Sequence, residues 1–162
     1  YFFNNIIYEL AMVNDHIFIA SESGLYIYDI QNNKIYDLES FGYKSKSFIF
    51  PSKHFDYTAI TKDQDNIYFA NQSGIISFNL NDRSWSNAVE SSIYGTLEVQ
   101  SIALAKETIF IATVNGLVQY DMKKNSLEIF NYKFMGNIND LYIKGRKIWL
   151  GTSQGLISYR YR

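Results

Sequence analysis

The strongest constraint on this chain is that four glycines, Gly24, Gly74, Gly116 and Gly155, stand in one repeated setting. Three residues before them come Ser21, Asn71, Thr113 and Thr152, and directly after them Leu25, Ile75, Leu117 and Leu156. Four residues after each glycine is an aromatic (Tyr28, Phe78, Tyr120, Tyr159), followed by Asp29, Asn79, Asp121 or Arg160. The register also holds upstream. Ile17, Ile67, Ile109 and Ile148 lie seven residues before, each followed by an aromatic: Phe18, Tyr68, Phe110 or Trp149. A small residue (Ala20, Ala70, Ala112, Gly151) stands four before the glycine, and Leu10, Ile60, Ile102 and Leu141 stand fourteen before. Eleven residues downstream come Ile35, Trp85 and Leu127. A register repeated at this period means stacked copies of one supersecondary unit, because no single copy can bury its own apolar face.

Each unit reads as four short strands, A to D, separated by Asx- and Gly-rich turns. Strand A centres on Leu10, Ile60, Ile102 or Leu141, and strand B runs from Ile17, Ile67, Ile109 or Ile148 to the small residue. Strand C follows the glycine, and strand D covers Lys34–Leu38, Arg83–Asn87 and Ser126–Phe130. An aromatic content of 17%, with 14 Tyr and 12 Phe, favours strands. Strand B is apolar at consecutive positions, so both of its faces are expected to be covered. Glycine-to-glycine spacings of 50, 42 and 39 residues suit four-stranded blades. The chain is therefore expected to be all-β, a single β-propeller unit over residues 1–162 with blades at about 6–39, 57–88, 98–131 and 138–162. Gly24, Gly74, Gly116, Gly155, Phe18, Tyr68, Phe110 and Trp149 are expected to be blade-structural.

Residues 1–5 align without a gap with Tyr132-Lys133-Phe134-Met135-Gly136. On that alignment the sequence starts in a D–A connection and stops in a strand C. The expectation is a segment of a larger propeller, with the remaining blades as partners. The alternative is a four-bladed ring whose last blade has three strands.

The run Ile148-Trp149-Leu150-Gly151-Thr152-Ser153-Gln154-Gly155-Leu156-Ile157-Ser158-Tyr159 resembles the two-component regulator propeller repeat, whose core reads LWIGT-x-x-GL-x-x-Y followed by Asp or Asn. Residues 109–121 match it nearly as well, whereas Ser21 and Asn71 stand where that repeat has Thr. The acidic–Gly turn usual before strand B is missing from most copies. The resemblance covers nearly the whole chain and identifies a blade, not an active site. It implies an extracytoplasmic propeller, periplasmic or at the cell surface, of a bacterial sensor. Such propellers are often joined to an immunoglobulin-like domain, a membrane helix and a histidine kinase, and related ones are linked to type IX secretion.

The residues carry little catalytic chemistry. With 15 basic and 16 acidic side chains the formal net charge is −1, which argues against nucleic acid as a partner. There is no Cys for a disulfide or thiolate site, and no apolar run long enough to insert in a membrane. His16 and His54 are isolated, and no zinc-ligand spacing occurs. Asp63-Gln64-Asp65-Asn66 starts like a calcium loop but lacks its Gly and distal Glu, so a hydrated turn is expected. The Ser/Thr-x-x-Gly turns have the wrong spacing for nucleophile elbows. Asp29, Asn79 and Asp121 are expected to tie the C–D turns through side-chain-to-backbone bonds. No cofactor, metal or catalytic residue is expected.

The informative departure from the repeat is the long segment from Ser40 to Tyr57. Long connections on rigid scaffolds often carry function, and aromatics interleaved with cations suit sugars, anions or a protein partner. The segment is expected beside the B–C turns, with packing over an irregular blade edge as the competing role. The candidate ligand or partner face is Tyr43, Lys44, Lys46, Phe48, Lys53, His54 and Phe55, with Tyr94 and Tyr132 from other D–A connections. The expected function is a non-catalytic binding module, the sensing propeller of a bacterial surface or periplasmic protein, with a carbohydrate or protein as ligand. The alternatives are a scaffold propeller of an envelope or secretion assembly and, less favoured, a propeller lyase or hydrolase.

Overall fold

The computed structural model describes residues 5–44, 48–49, 55–72, 74–90 and 98–161. Lys46, Lys53, His54 and Tyr94 lie outside them. The chain divides into two compact units, Tyr1–Glu90 and Ser91–Arg162, with two blades in each.

In the first unit, blade 1 is the antiparallel meander β1 (Ile7–Val13), β2 (His16–Ser21), β3 (Gly24–Asp29) and β4 (Lys34–Asp37). Blade 2 is β6 (Tyr57–Lys62), β7 (Asn66–Asn71), β8 (Gly74–Asn79) and β9 (Ser84–Glu90). A short β5 (Tyr43–Lys44) adds to the outer edge of β9 in parallel. In the second unit, blade 3 is β10 (Val99–Ala105), β11 (Thr108–Thr113), β12 (Gly116–Asp121) and β13 (Ser126–Phe130). Blade 4 is β14 (Ile138–Lys144), β15 (Lys147–Thr152) and β16 (Gly155–Arg160). Strand A of every blade carries a bulge at one repeat position, so Tyr8, Thr58, Gln100 and Asn139 each interrupt the pairing with strand B. No helix among the described residues is long and apolar enough to cross a membrane.

The packing explains the repeat. In the first unit, Phe18, Leu25 and Ile27 of blade 1 form one buried cluster with Ile67, Phe69 and Ile76 of blade 2. In the second, Phe110, Ala112 and Leu117 of blade 3 cluster with Leu141, Ile148 and Leu150 of blade 4. Within each unit, the strand-B aromatic of the first blade, Phe18 or Phe110, thus faces the second blade, and Ile67 and Phe69 or Ile148 and Leu150 of the second blade face back to the first. The small residue between them lets the sheets approach. Within each unit the A strands are also tied. The Glu9 carboxylate accepts the Ile60 N–H, and Ser101 Oγ donates to Asp140 Oδ1 at 2.8 Å.

Phe18, Tyr68 and Phe110 are buried. Trp149 departs from them. It lies half-buried on the outer face of blade 4, beside exposed Tyr142 and Leu156, with Lys147 Nζ 4.2 Å from its ring centroid. The reason is that this position, held by Phe18 and Phe110 in blades 1 and 3, faces the next blade of the same unit, and no described strand covers that face of blade 4.

Gly24, Gly74, Gly116 and Gly155 all hold positive φ, between 117° and 141°. At Gly116 the need for glycine is also steric, since a Cβ there would stand 2.5 Å from the Phe130 carbonyl oxygen, where strand D passes. The preceding hydroxyl closes the turn: Ser21, Thr113 and Thr152 each donate to the carbonyl of their own glycine at 2.9 Å.

Candidate functional site

Each blade has two ends, marked by the bonds between its turns. At one end the C–D turn is pinned to the A–B turn: Ile30 N to Asp15 O, Leu80 N to Asp65 O and Met122 N to Glu107 O. At the other, the B–C turn is pinned to the D–A connection: Glu22 N to Ile6 O, Val114 N to Glu98 O and Ser153 N to Asn137 O.

The first end is occupied by its own structure. Asp29 Oδ1 accepts the Asn32 N–H, Asn79 Oδ1 those of Asn81 and Asp82, and Asp121 Oδ1 those of Lys123 and Lys124. The side-chain and backbone N–H groups of Asn32 hold the Asp29 carboxyl below the usual range, and the Lys124 N–H does the same for Asp121. Asp63 is likewise engaged. Its Oδ1 accepts the N–H groups of Asp65 and Asn66, and its Oδ2 the Tyr68 hydroxyl. His16 sits edge-on to Phe41 at 5.2 Å, with Nε2 3.8 Å from Asp29 Oδ2.

The segment after Ser40 does not reach the B–C turns at its start, contrary to the sequence expectation. Phe41 draws it to the opposite end. Its buried ring packs against Phe18, Tyr36 and Phe78, Arg83 lies over it, and its carbonyl accepts the Trp85 indole N–H. Gly42, at φ 79°, then turns the backbone so that Tyr43 N donates to Arg83 O at 2.7 Å. Tyr43 and Lys44 are exposed, but beside the C–D turn of blade 2. Phe48 is not on a ligand face: it is 1% exposed and belongs to the core, with Phe55 packed partly buried against it. For the described aromatics other than Tyr43, packing against the blades is the observed role.

Tyr132 is different. It lies in the D–A connection of blades 3 and 4, where a 3-10 turn at Lys133–Met135 directs alternate side chains apart. Met135 is buried and anchors the turn, while Tyr132 and Phe134 are 53% and 66% exposed. Their rings stack with centroids 5.5 Å apart and planes 19° apart. The turn is clamped to the B–C loop of blade 4, because Ser153 N donates to Asn137 O at 2.9 Å and Asn137 N to Ser153 Oγ at 3.1 Å. Gly136 permits this approach, since a Cβ there would collide with Ser153 Oγ and Gln154. The result is an aromatic shelf on a tethered loop, bordered by exposed Asn131, Lys133, Ser153 and Gln154. Phe134 was not singled out from sequence. The available signal was an apolar residue in a short polar connection, two positions from Tyr132.

No family model matches the sequence, and no curated protein matches it. Solved structures do resemble the fold. The extracellular domain of the hybrid two-component system BT4673 of B. thetaiotaomicron aligns with a TM-score of 0.76 at 18% identity, covering 98% of this chain and 22% of that one. The extracellular domain of the hybrid two-component system BT3049 of the same organism aligns at 0.63 and 20% identity, covering 94% and 20%. BamB from Moraxella catarrhalis aligns at 0.57 and 14% identity, covering 92% and 41%. The chain spans about a fifth of the length of the two-component extracellular domains it matches. The repeat's resemblance to the two-component regulator propeller and these structural likenesses agree on one fold: four blades of a β-propeller.

Proposed function

We propose that this chain is a non-catalytic binding segment of an extracytoplasmic sensing propeller, and that the shelf at Tyr132 and Phe134 receives a carbohydrate. The observation that carries this reading is the stacked, exposed aromatic pair held on a clamped connection. Two aromatics in water cost hydration free energy that a folded protein recovers by covering them, and ring faces suit the apolar C–H faces of sugars. The Asn, Ser and Gln side chains around the rim offer hydrogen bonds to hydroxyls. The resemblance to extracellular domains of two-component systems supports the setting. The non-catalytic reading is supported by the hydroxyls and carboxylates of the repeats, which are committed to their own turns.

Isothermal titration against a panel of soluble oligosaccharides tests it. Binding by the parent and its loss, tenfold or more, in the Tyr132→Ala/Phe134→Ala variant with an unchanged melting temperature is the expected result. A panel with no binder, or a binder indifferent to the double substitution, would refute the assignment.

A further inference from the structure

The end of blades 3 and 4 that carries the A–B and C–D turns is strongly basic. The A–B turn of blade 3 holds Lys106 and Glu107, and its C–D turn holds Asp121, Lys123 and Lys124. Lys144, Arg146 and Lys147 stand at the A–B turn of blade 4. Six cations thus face two carboxylates. The fold gathers them on one rim. Met122 N donates to Glu107 O at 2.9 Å, which ties the two turns of blade 3 together. Ala105 and Ile143, the residues just before Lys106 and Lys144, pack on the same core cluster.

These cations are not spent on the fold. Lys124 Nζ lies 3.1 Å from Asp121 Oδ2, but among the described residues no ion pair reaches Lys106, Lys123, Lys144, Arg146 or Lys147. Nor does the turn geometry call for positive charge. The matching turns of blades 1 and 2 carry Asp15, Asp29, Asp63, Asp65 and Asp82 against Lys34 and Arg83. Lys106 is the sharpest case. It holds φ 56°, at the repeat position where blade 1 has Asn14 at 52° and blade 4 has Gly145 at 62°. Asn and Gly take this left-handed conformation at little cost, and lysine does not. A lysine in a strained conformation with no partner inside the fold points to a partner outside it.

We propose that this rim docks on the surface of an anionic phospholipid bilayer. Among the described residues, the exposed large apolar side chains of the second unit are Ile129, Tyr132, Phe134, Tyr142 and Leu156, and none lies in these turns. The rim therefore lacks the aromatic and aliphatic anchors of a protein interface. What it offers is charge on flexible stems, five lysines to one arginine, which a layer of lipid phosphates attracts without a fixed partner geometry. Docked this way, the opposite end of the two blades, with the shelf of Tyr132 and Phe134, faces away from the bilayer and stays open to water.

Sedimentation of the whole chain with phosphatidylcholine vesicles, made with and without phosphatidylglycerol, tests the proposal. Binding is expected to the vesicles that contain phosphatidylglycerol and not to the others, with a steep loss as salt is raised. Lys106→Asn and Lys144→Gln should each weaken it about fivefold, the share of one lysine at an anionic surface. Lys106→Asn should leave the melting temperature equal or higher, because asparagine suits that backbone, so its loss of binding is not a loss of fold. Lys34→Gln removes the same charge from the first unit and should bind as the parent does. No binding to phosphatidylglycerol vesicles at low salt would overturn the proposal. So would a loss in Lys34→Gln equal to that in Lys106→Asn, or capture by soluble polyglutamate with none by vesicles, which would assign the rim to an acidic protein segment.

Discussion

Tyrosine is the residue through which this fold is most open to measurement, because the same side chain is placed in three environments. Tyr132 and Tyr43 stand in solvent. Tyr28 and Tyr120 end on asparagine. Tyr57 and Tyr68 are buried, and burial pushes both hydroxyls up to about 12, with the Asp63 charge adding to the effect at Tyr68. A phenol whose folded pKa is raised stabilises the fold at pH below its unfolded value, and that stability is lost as the pH climbs through the folded value. The window here runs from about 10 in the unfolded chain to about 12. Spectrophotometric titration at the tyrosinate band is expected to show a delayed group of tyrosines, Tyr57 and Tyr68 among them, that ionises only as the chain unfolds. Replacing Tyr68 by Phe should shrink the delayed step. A single step near pH 10 for all tyrosines in the folded chain would contradict the burial.

At the scale of the element, strand B carries the architecture. Its aromatic faces the next blade of the same unit in blades 1 and 3, and its alternate residues face the previous one in blades 2 and 4, so consecutive apolar residues mark a strand with apolar side chains on both faces. This much was legible in the sequence, because position within the repeat determines which face a side chain takes. The strand-A bulges were not legible: Tyr8, Thr58, Gln100 and Asn139 share only a neutral polar side chain, which is no signature of a bulge, and the bulge lies in the backbone pairing. The path of the segment after Ser40 was also hidden. Its aromatics read as a face, and only the pocket formed by Phe18, Tyr36 and Phe78 reveals that Phe41 is core. The shelf was half legible, as Tyr132 alone. The strand-B aromatics give the sharpest expectation at this scale. Phe18→Ala and Phe110→Ala should each cost about 3–5 kcal/mol, the range for a buried phenylalanine. Trp149→Ala should cost clearly less, because much of its ring is already in water. Equal losses for Phe110 and Trp149 in denaturant melts would show that the Trp149 face is covered in solution.

At the scale of the whole molecule, the repeat has a division of labour between its two ends. The A–B and C–D turns use Asp and Asn to hold themselves, while the D–A connections vary in length, and the one between blades 3 and 4 presents the stacked rings of Tyr132 and Phe134 to solvent. Variation between copies of a repeat, set against a constant frame, is where a propeller places specificity. The central claim is therefore that ligands meet this chain at the D–A and B–C end of its blades. Mapping amide chemical shifts during titration with the oligosaccharide panel tests it directly. The account expects the perturbed amides to cluster at residues 131–137 and 152–155, with the A–B and C–D turns at residues 13–16, 30–34, 105–108 and 144–147 unmoved. Perturbations centred on those turns instead would contradict it.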